Sequence, residues 1–265
     1  MINRPIIGLN MSMDLIDKYE KYGLLVPISY VDAVAGAGGV PLCLPPGDDF
    51  TIIKRVLKLV DGVVLVGGDD YWPDHFGGHP QPEDELMPVR RDRFDLALAK
   101  LILNETNLPV LGICGGHQLI TIAQGGSLIQ DIKTEWNGPA DCPPIPHSRK
   151  ERSNEEGPSF RHPVRLEAGS LISRTVKIPE SHVLMTNSSH HQAVHPQKPG
   201  IYLRASAWTP DGIIEAIEPS DDSPWALSGR FILGIQWHPE QMQDEEPQQN
   251  IFRALVEAAR KKLSS

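Results

Sequence analysis

Unbroken hydrophobic runs and helical patterns alternate through the first half of the chain. The runs are short and bounded by glycine, proline or charge, which is typical of strands buried on both faces. Strands are predicted at 5–10, 40–44, 62–66 and 108–113, and helices at 25–37, 50–59 and 91–104. Strands that alternate with helices form right-handed βαβ units, so we expect a parallel, doubly wound α/β sheet with helices on both faces.

The second half has a different pattern, with short apolar segments separated by turn signals. These segments predict strands at 164–166, 182–186, 202–208, 213–217 and 231–236, followed by a closing helix at 248–262. Such strands favour antiparallel additions to the sheet. The chain 1–265 is expected to be a single domain, interrupted by a long irregular excursion at 133–163 that is rich in proline, serine and charge. Excursions of this length are usually functional or disordered.

Composition excludes several classes of protein. The 265 residues are 40% hydrophobic and 22% charged, as in ordinary globular proteins, and the net charge of -9 argues against a nucleic-acid or acidic-membrane surface. No apolar stretch is long enough to span a bilayer, and the first residues lack a charged-then-apolar leader. We therefore expect a cytoplasmic protein that binds neither nucleic acid nor membrane, with homo-oligomerisation left open.

The chain has three cysteines, an odd number with no sign of a disulfide framework. Cys43 lies in an apolar run and is expected in the core, and Cys142 lies in a proline-rich loop. The ten histidines show no metal-binding spacing. We therefore predict no metal and no cofactor.

Only Cys114 has the setting of a reactive thiol. A predicted strand ends at this cysteine, glycines flank it in the pattern G-I-C-G-G, and a helical pattern continues through 119–124. Small residues suit such a nucleophile elbow because the strained turn has no room for neighbouring side chains. The positive end of the following helix favours a thiolate. A small buried cysteine at a tight junction is the alternative interpretation.

A second motif with polar residues, W-H-P-E, follows the predicted strand at 231–236. A cysteine nucleophile needs a base, and the base needs an acceptor that orients it. His238 and Glu240 fit these roles because residues two apart in extended chain point to the same side. Pro239 restricts the backbone between them. The alternative is a surface turn with incidental polar residues.

The two motifs, G-I-C-G-G-H-Q and Q-W-H-P-E, resemble those of the class I glutamine amidotransferase domain, which has a flavodoxin-like sheet. The resemblance implies that Cys114 attacks a γ-glutamyl amide to form a thioester. It makes His238 the acid and base and Glu240 its orienting partner. It also implies an oxyanion hole formed by the N–H groups of Gly115 and of Gly68, in the glycine pair after the third predicted strand.

Further segments are similar to the γ-glutamyl-γ-aminobutyrate hydrolase branch of that family. They are G-G-D-D-Y-W-P from position 67, R-D-R-F-D from 91, N-S-S-H-H-Q from 187 and D-G-I-I-E-A-I-E from 211. The resemblance implies substrate contacts by Asp69, Gln118, Ser189 and His190. The alternatives are a turn-stabilising aspartate, a helix-surface amide and solvated loop residues. Gly115 departs from the branch, where arginine is common after the cysteine.

Three functions are compatible with these motifs. The resemblance favours a stand-alone hydrolase of small γ-glutamyl amides, releasing glutamate and an amine. A glutaminase subunit that supplies ammonia to a separate synthase is the second hypothesis. The third is a non-catalytic protein that uses a low-pKa thiol as a redox sensor, which the presence of His238 and Glu240 disfavours.

Overall fold

The computed structural model describes residues 4–16, 20–140, 142–148, 160–178 and 183–263. The strands are β1 (Ile6–Asn10), β2 (Ser12–Ile16), β3 (Lys21–Leu25), β4 (Val40–Leu44), β5 (Gly62–Leu65), β6 (Val110–Ile113), β7 (Leu128–Ile129), β8 (Arg161–Leu166), β9 (Val183–Asn187), β10 (Ala193–Val194), β11 (Leu203–Trp208), β12 (Ile214–Pro219) and β13 (Ile232–Ile235). The helices are α1 (Ile28–Gly36), α2 (Phe50–Leu57), α3 (Val89–Glu105), α4 (Gly115–Ala123), α5 (Ile132–Glu135), α6 (Leu171–Val176), α7 (Pro224–Leu227) and α8 (Glu246–Leu263).

Among the described residues, nine strands form one sheet in the order β4-β1-β5-β6-β13-β12-β11-β8-β9. Neighbours from β4 to β13 pair in parallel. Neighbours from β13 to β9 pair antiparallel. The predicted parallel first half is confirmed, and so are the antiparallel additions formed by β8, β9, β11 and β12. The strand predicted at 231–236 differs, because β13 extends the parallel part of the sheet by pairing with β6.

Helices cover the sheet on both faces, as the sequence predicts. Along β5, Val64 belongs to the hydrophobic core that contains residues of α1, α6 and α8. Its neighbour Val63 belongs to the opposite core, with residues of α2, α3 and α4. Adjacent strand residues point to opposite faces, so a continuous apolar run fills both cores. Each such side chain contributes about 1.5–3 kcal/mol by its burial.

The parallel strands end at one edge of the sheet, where the predicted site residues follow them. Gly67 and Gly68 come shortly after β5, Cys114 follows β6 at once, and His238 comes shortly after β13. Because β5, β6 and β13 are consecutive neighbours in the sheet, these residues lie side by side without any long-range rearrangement.

Several details differ from the sequence prediction. The hairpin of β2 and β3 was not predicted, since its residues are mostly half-buried or exposed and carry no clear apolar run. The irregular excursion predicted at 133–163 is shorter than expected, because its first residues belong to α5 and its last residues belong to β8. Residues 141 and 149–159 of the excursion, and the start of the strand predicted at 182–186, lie outside the described residues.

Two further observations concern burial. The core position predicted for Cys43 is wrong: its side chain is exposed, because β4 is the edge strand of the sheet. None of the helices in the described part of the chain is long and apolar enough to cross a membrane.

Candidate active site

Cys114 occupies the sharp turn between β6 and α4. Its φ of 52° and ψ of -110° lie in a region that residues other than glycine rarely adopt, at a cost of about 1–3 kcal/mol. Two sets of backbone hydrogen bonds hold the turn. The Cys114 N–H donates to the Ile235 carbonyl at 2.8 Å, and the Cys114 carbonyl accepts from His117 at 3.0 Å and from Gln118 at 3.2 Å. The sulfur-bearing residue is therefore fixed at the helix N-terminus by β13 and by α4.

The glycines near Cys114 differ in how much space a side chain would have at each position. A Cβ on Gly112 would lie 2.5 Å from the Gly116 carbonyl oxygen, and a Cβ on Gly116 would overlap the backbone of Leu65. These two glycines are required by the close approach of α4 to β5 and β6. A Cβ on Gly115 would meet no atom closer than 3.5 Å. The backbone around Gly115 therefore leaves room for a side chain.

His238 lies beside Cys114 and is hydrogen-bonded to Glu240. Its Nδ1 is 2.7 Å from Glu240 Oε1, and the Glu240 side chain is buried. Burial alone lowers the pKa of His238, but the charges of Cys114 and Glu240, with hydrogen bonds to both, outweigh it and raise the pKa well above its usual value. The raised pKa favours the protonated imidazole, which lies next to the sulfur of Cys114.

The loop after β5 contributes backbone groups next to the cysteine. The Gly67 carbonyl accepts from Arg91 Nη2 at 2.9 Å. In a trans peptide the N–H points away from the carbonyl, so the Gly68 N–H is directed away from Arg91. A Cβ built on Gly115 would lie 3.5 Å from the Gly68 nitrogen. The geometry thus brings the two predicted oxyanion donors, Gly68 and Gly115, next to each other at the elbow.

Comparison with known proteins identifies the family of this chain. The model of the family Peptidase C26 matches residues 5–240. The chain belongs to the Peptidase C26 family. Peptidases hydrolyse amide bonds, so this chain is a hydrolytic enzyme that acts on C–N bonds, and its class I glutamine amidotransferase-like character is confirmed.

Two relatives illustrate the range within Peptidase C26. A glutamine amidotransferase-like protein of Rickettsia prowazekii is 32% identical over 296 residues, covering 98% of this chain and 99% of the relative. The γ-glutamyl-γ-aminobutyrate hydrolase PuuD of Escherichia coli is 30% identical over 243 residues, covering 91% of this chain and 87% of the relative.

A solved structure supports the fold. The glutaminase domain of CTP synthase from Trypanosoma brucei, with bound acivicin, superposes with a TM-score of 0.61 at 18% identity. The match covers 97% of this chain and 94% of that domain. At this identity the likeness concerns the fold alone, which is that of glutamine amidotransferase-type domains.

Sequence reasoning gave no role to several side chains that hold the candidate site together. Asn187 binds the backbone of His238 on both sides, accepting from its N–H at 2.8 Å and donating to its carbonyl at 2.9 Å. Gln236 Nε2 lies 3.5 Å from the sulfur of Cys114. The Tyr30 hydroxyl accepts from the Gly67 N–H at 3.2 Å. Asn187 and Gln236 belong to the recognised motifs, which was the available signal.

The four predicted substrate residues lie in different environments. Asp69 and Ser189 are exposed, whereas Gln118 and His190 are buried. Gln118 Nε2 donates to Gln236 Oε1 at 3.3 Å, which connects it to the amide beside the cysteine. Ser189 and His190 line a cleft of about 590 Å³. Although Asp69 is exposed to solvent, the surrounding chain partly desolvates its carboxyl group, and this desolvation, followed by the charge of Asp14, raises its pKa.

A half-buried ion-pair network forms part of the wall of this cleft. His191 Nε2 lies 2.9 Å from Asp70 Oδ2, and its Nδ1 lies 3.3 Å from Asp131 Oδ1. Burial alone lowers the pKa of His191, but hydrogen bonds and charges from both aspartates outweigh it and raise the pKa to about 9. His191 is therefore a cation at neutral pH, and it connects the loop after β5 to the start of α5.

Proposed function

We propose that this chain hydrolyses the amide bond of small γ-glutamyl compounds of the γ-glutamyl-γ-aminobutyrate type, with Cys114 as the nucleophile. The observation that carries the proposal is the continuous contact from the sulfur of Cys114 to His238 and on to Glu240. The similarity to PuuD supports the γ-glutamyl class of substrate. The cytoplasmic location stays a prediction from the sequence, and homo-oligomerisation stays open.

The proposed reaction has two halves. The thiolate of Cys114 attacks the amide carbon, and the oxyanion accepts hydrogen bonds from the N–H groups of Gly68 and Gly115. Two such donors contribute about 3 kcal/mol each to stabilising the transition state. The C–N bond then breaks, and His238 gives its proton to the departing amine. A thioester with the glutamyl group is left on the sulfur.

Water completes the cycle. His238, now neutral, takes a proton from a water molecule that attacks the thioester carbon, and glutamate leaves as Cys114 returns to a thiolate. Glu240 keeps the imidazole oriented through the bond to Nδ1. For the substrate itself, we place the glutamyl group near Gln118 and the exposed Asp69, and the amine part towards the cleft lined by Ser189 and His190.

The test is glutamate release from a panel of γ-glutamyl amides whose amine parts carry a carboxylate, a cation or no charge, with glutamine as a further substrate. We expect turnover by the wild type and by Cys43→Ala, whose exposed thiol is a matched control, and none by Cys114→Ala. Equal turnover by Cys114→Ala would remove the proposal. If glutamine were the only compound in the panel that the enzyme turned over, the result would instead support the ammonia-supplying glutaminase.

A further inference from the structure

Three histidines and one glutamate meet in the interior of the molecule, and none of them belongs to the group of Cys114, His238 and Glu240. They are His147, His162, His190 and Glu215, all four buried, and one ligand atom from each lies within 4.8 Å of all the others. His147 comes from the irregular stretch before the undescribed residues, His162 from β8, His190 from the loop after β9, and Glu215 from β12.

The polar atoms of this cluster point at one another. Both oxygens of Glu215, both ring nitrogens of His162 and Nε2 of His190 are buried without a hydrogen-bond partner among the described residues. A carboxylate buried in this way is costly unless a positive charge accompanies it. The side chains that the described residues place within ion-pair distance of Glu215 are all histidines.

The distances are close to those of a tetrahedral metal site. Glu215 Oε1 lies 3.5 Å from His162 Nε2, 3.5 Å from His190 Nε2 and 3.8 Å from His147 Nδ1. Zinc bonds of about 2.0–2.1 Å in a tetrahedron separate the ligand atoms by about 3.3 Å. Each contact of Glu215 Oε1 therefore needs a contraction of a few tenths of an ångström. The ligand atoms of the three histidines lie within 4.8 Å of one another and need to move closer by about 1.5 Å at most.

The outer partners of two histidines are those that zinc-binding imidazoles use. His147 Nε2 lies 3.1 Å from the Asp211 carboxylate, and His190 Nδ1 lies 2.9 Å from the Gln192 carbonyl. Both oxygens accept hydrogen bonds, so each of these nitrogens carries the proton when its ring is neutral. The lone pair is then on the nitrogen that faces Glu215.

We infer that His147, His162, His190 and Glu215 bind a structural zinc ion. Three imidazoles and one carboxylate suit zinc, and four protein ligands close its coordination shell, as in structural rather than catalytic sites. The ion would connect the stretch that contains His147 to the sheet, beside Asn187, the side chain that holds His238. This inference departs from the sequence-based prediction of no metal and does not depend on the proposed reaction.

The experiment measures the metal content of tag-free protein from cells grown with zinc. Plasma mass spectrometry is applied before and after a chelator has removed the metal. We expect one zinc per chain, a lower melting temperature for the chelated protein, and recovery of both on adding zinc. Cobalt added to the chelated protein should give the visible absorption of a tetrahedral ion with nitrogen and oxygen ligands. Failure of the folded wild type to take up either zinc or cobalt would overturn the inference.

Variants locate the ion. Glu215→Gln and His162→Gln should lose it, while His79→Ala, which alters an exposed histidine, should keep it. Asp211→Asn should weaken zinc binding about 10–100-fold, as for other outer partners of metal ligands. If Glu215→Gln fails to fold, the cobalt spectrum of the wild type still decides. Cys114→Ser should retain the full zinc content, and its loss there would place the metal at the thiol and overturn the inference.

Discussion

The orientation of the Gly67–Gly68 peptide depends on one buried side chain. Arg91 donates to the Gly67 carbonyl at 2.9 Å, and its guanidinium is also 3.3 Å from Asp95. Glycines on both sides of the peptide bond leave it free to rotate without steric penalty. We therefore expect that Arg91, although it does not reach the substrate, keeps the Gly68 N–H aimed at the oxyanion.

Two variants separate this positioning effect from stability. Arg91→Met alone removes both bonds and leaves Asp95 as a buried charge, which should destabilise the fold by about 3–5 kcal/mol. Arg91→Met combined with Asp95→Asn removes the charge while keeping an acceptor for the Tyr71 hydroxyl, which lies 3.1 Å from Asp95. Most of the stability should return in the double variant.

The activity should not return with it. Loss of one oxyanion donor lowers kcat by about 10²–10³. Without Arg91 we expect the productive orientation of the peptide to be populated about a tenth of the time, which lowers kcat about tenfold. The assay is kcat and KM for glutamate release, paired with urea unfolding of each variant. Arg90→Met, at an exposed neighbouring position, is the control. A double variant that regains both stability and wild-type kcat would refute the reasoning.

Three further predictions follow from the same geometry. Gly115→Ala should keep folding and activity near wild type, because its Cβ would lie 3.5 Å or more from the nearest backbone atoms. Gly116→Ala should lower the melting temperature and the activity, because its Cβ would overlap the backbone of Leu65; a Gly116→Ala variant with wild-type stability would contradict the packing. Asn187→Ala should reduce kcat about 10–100-fold with little change in KM, since small displacements of the His238 ring misalign proton transfer; an unchanged kcat would show that the ring needs no such support. The pKa of His191 is about 9 in the folded protein against 6.5 in the unfolded chain, so the protonated histidine adds about 3 kcal/mol to the free energy of unfolding below pH 6.5, and this contribution is lost as the pH rises through 9. His191→Gln should flatten the dependence of unfolding free energy on pH in this range, and an equally steep dependence would exclude the ion pair as its cause.

The features that could be predicted from the sequence are those encoded by local pattern. Apolar runs ending in glycine or cysteine identify the parallel strands and the edge where they end, and this pattern alone places Cys114 and Gly68 at the same edge of the sheet. The hairpin of β2 and β3 escaped prediction because its strands face solvent on much of their surface and lack an apolar run.

The supporting interactions could not be read in this way because they join distant parts of the chain. Asn187 is 51 residues from the His238 backbone that it holds, and Arg91 is 24 residues from the Gly67 carbonyl. The ligands of the inferred zinc site likewise come from four separate segments. Spacing rules for metal motifs describe ligands that are close in sequence, so they give no signal here.

The most direct test of the account is to trap the glutamyl group on the enzyme. Wild-type protein mixed with γ-glutamyl-aminobutyrate and quenched in acid within one turnover should gain the mass of one glutamyl group. Peptide mapping by mass spectrometry should locate it on Cys114. A glutamyl group found on another residue, or glutamate release by an enzyme whose Cys114 stays unmodified at every quench time, would contradict the account.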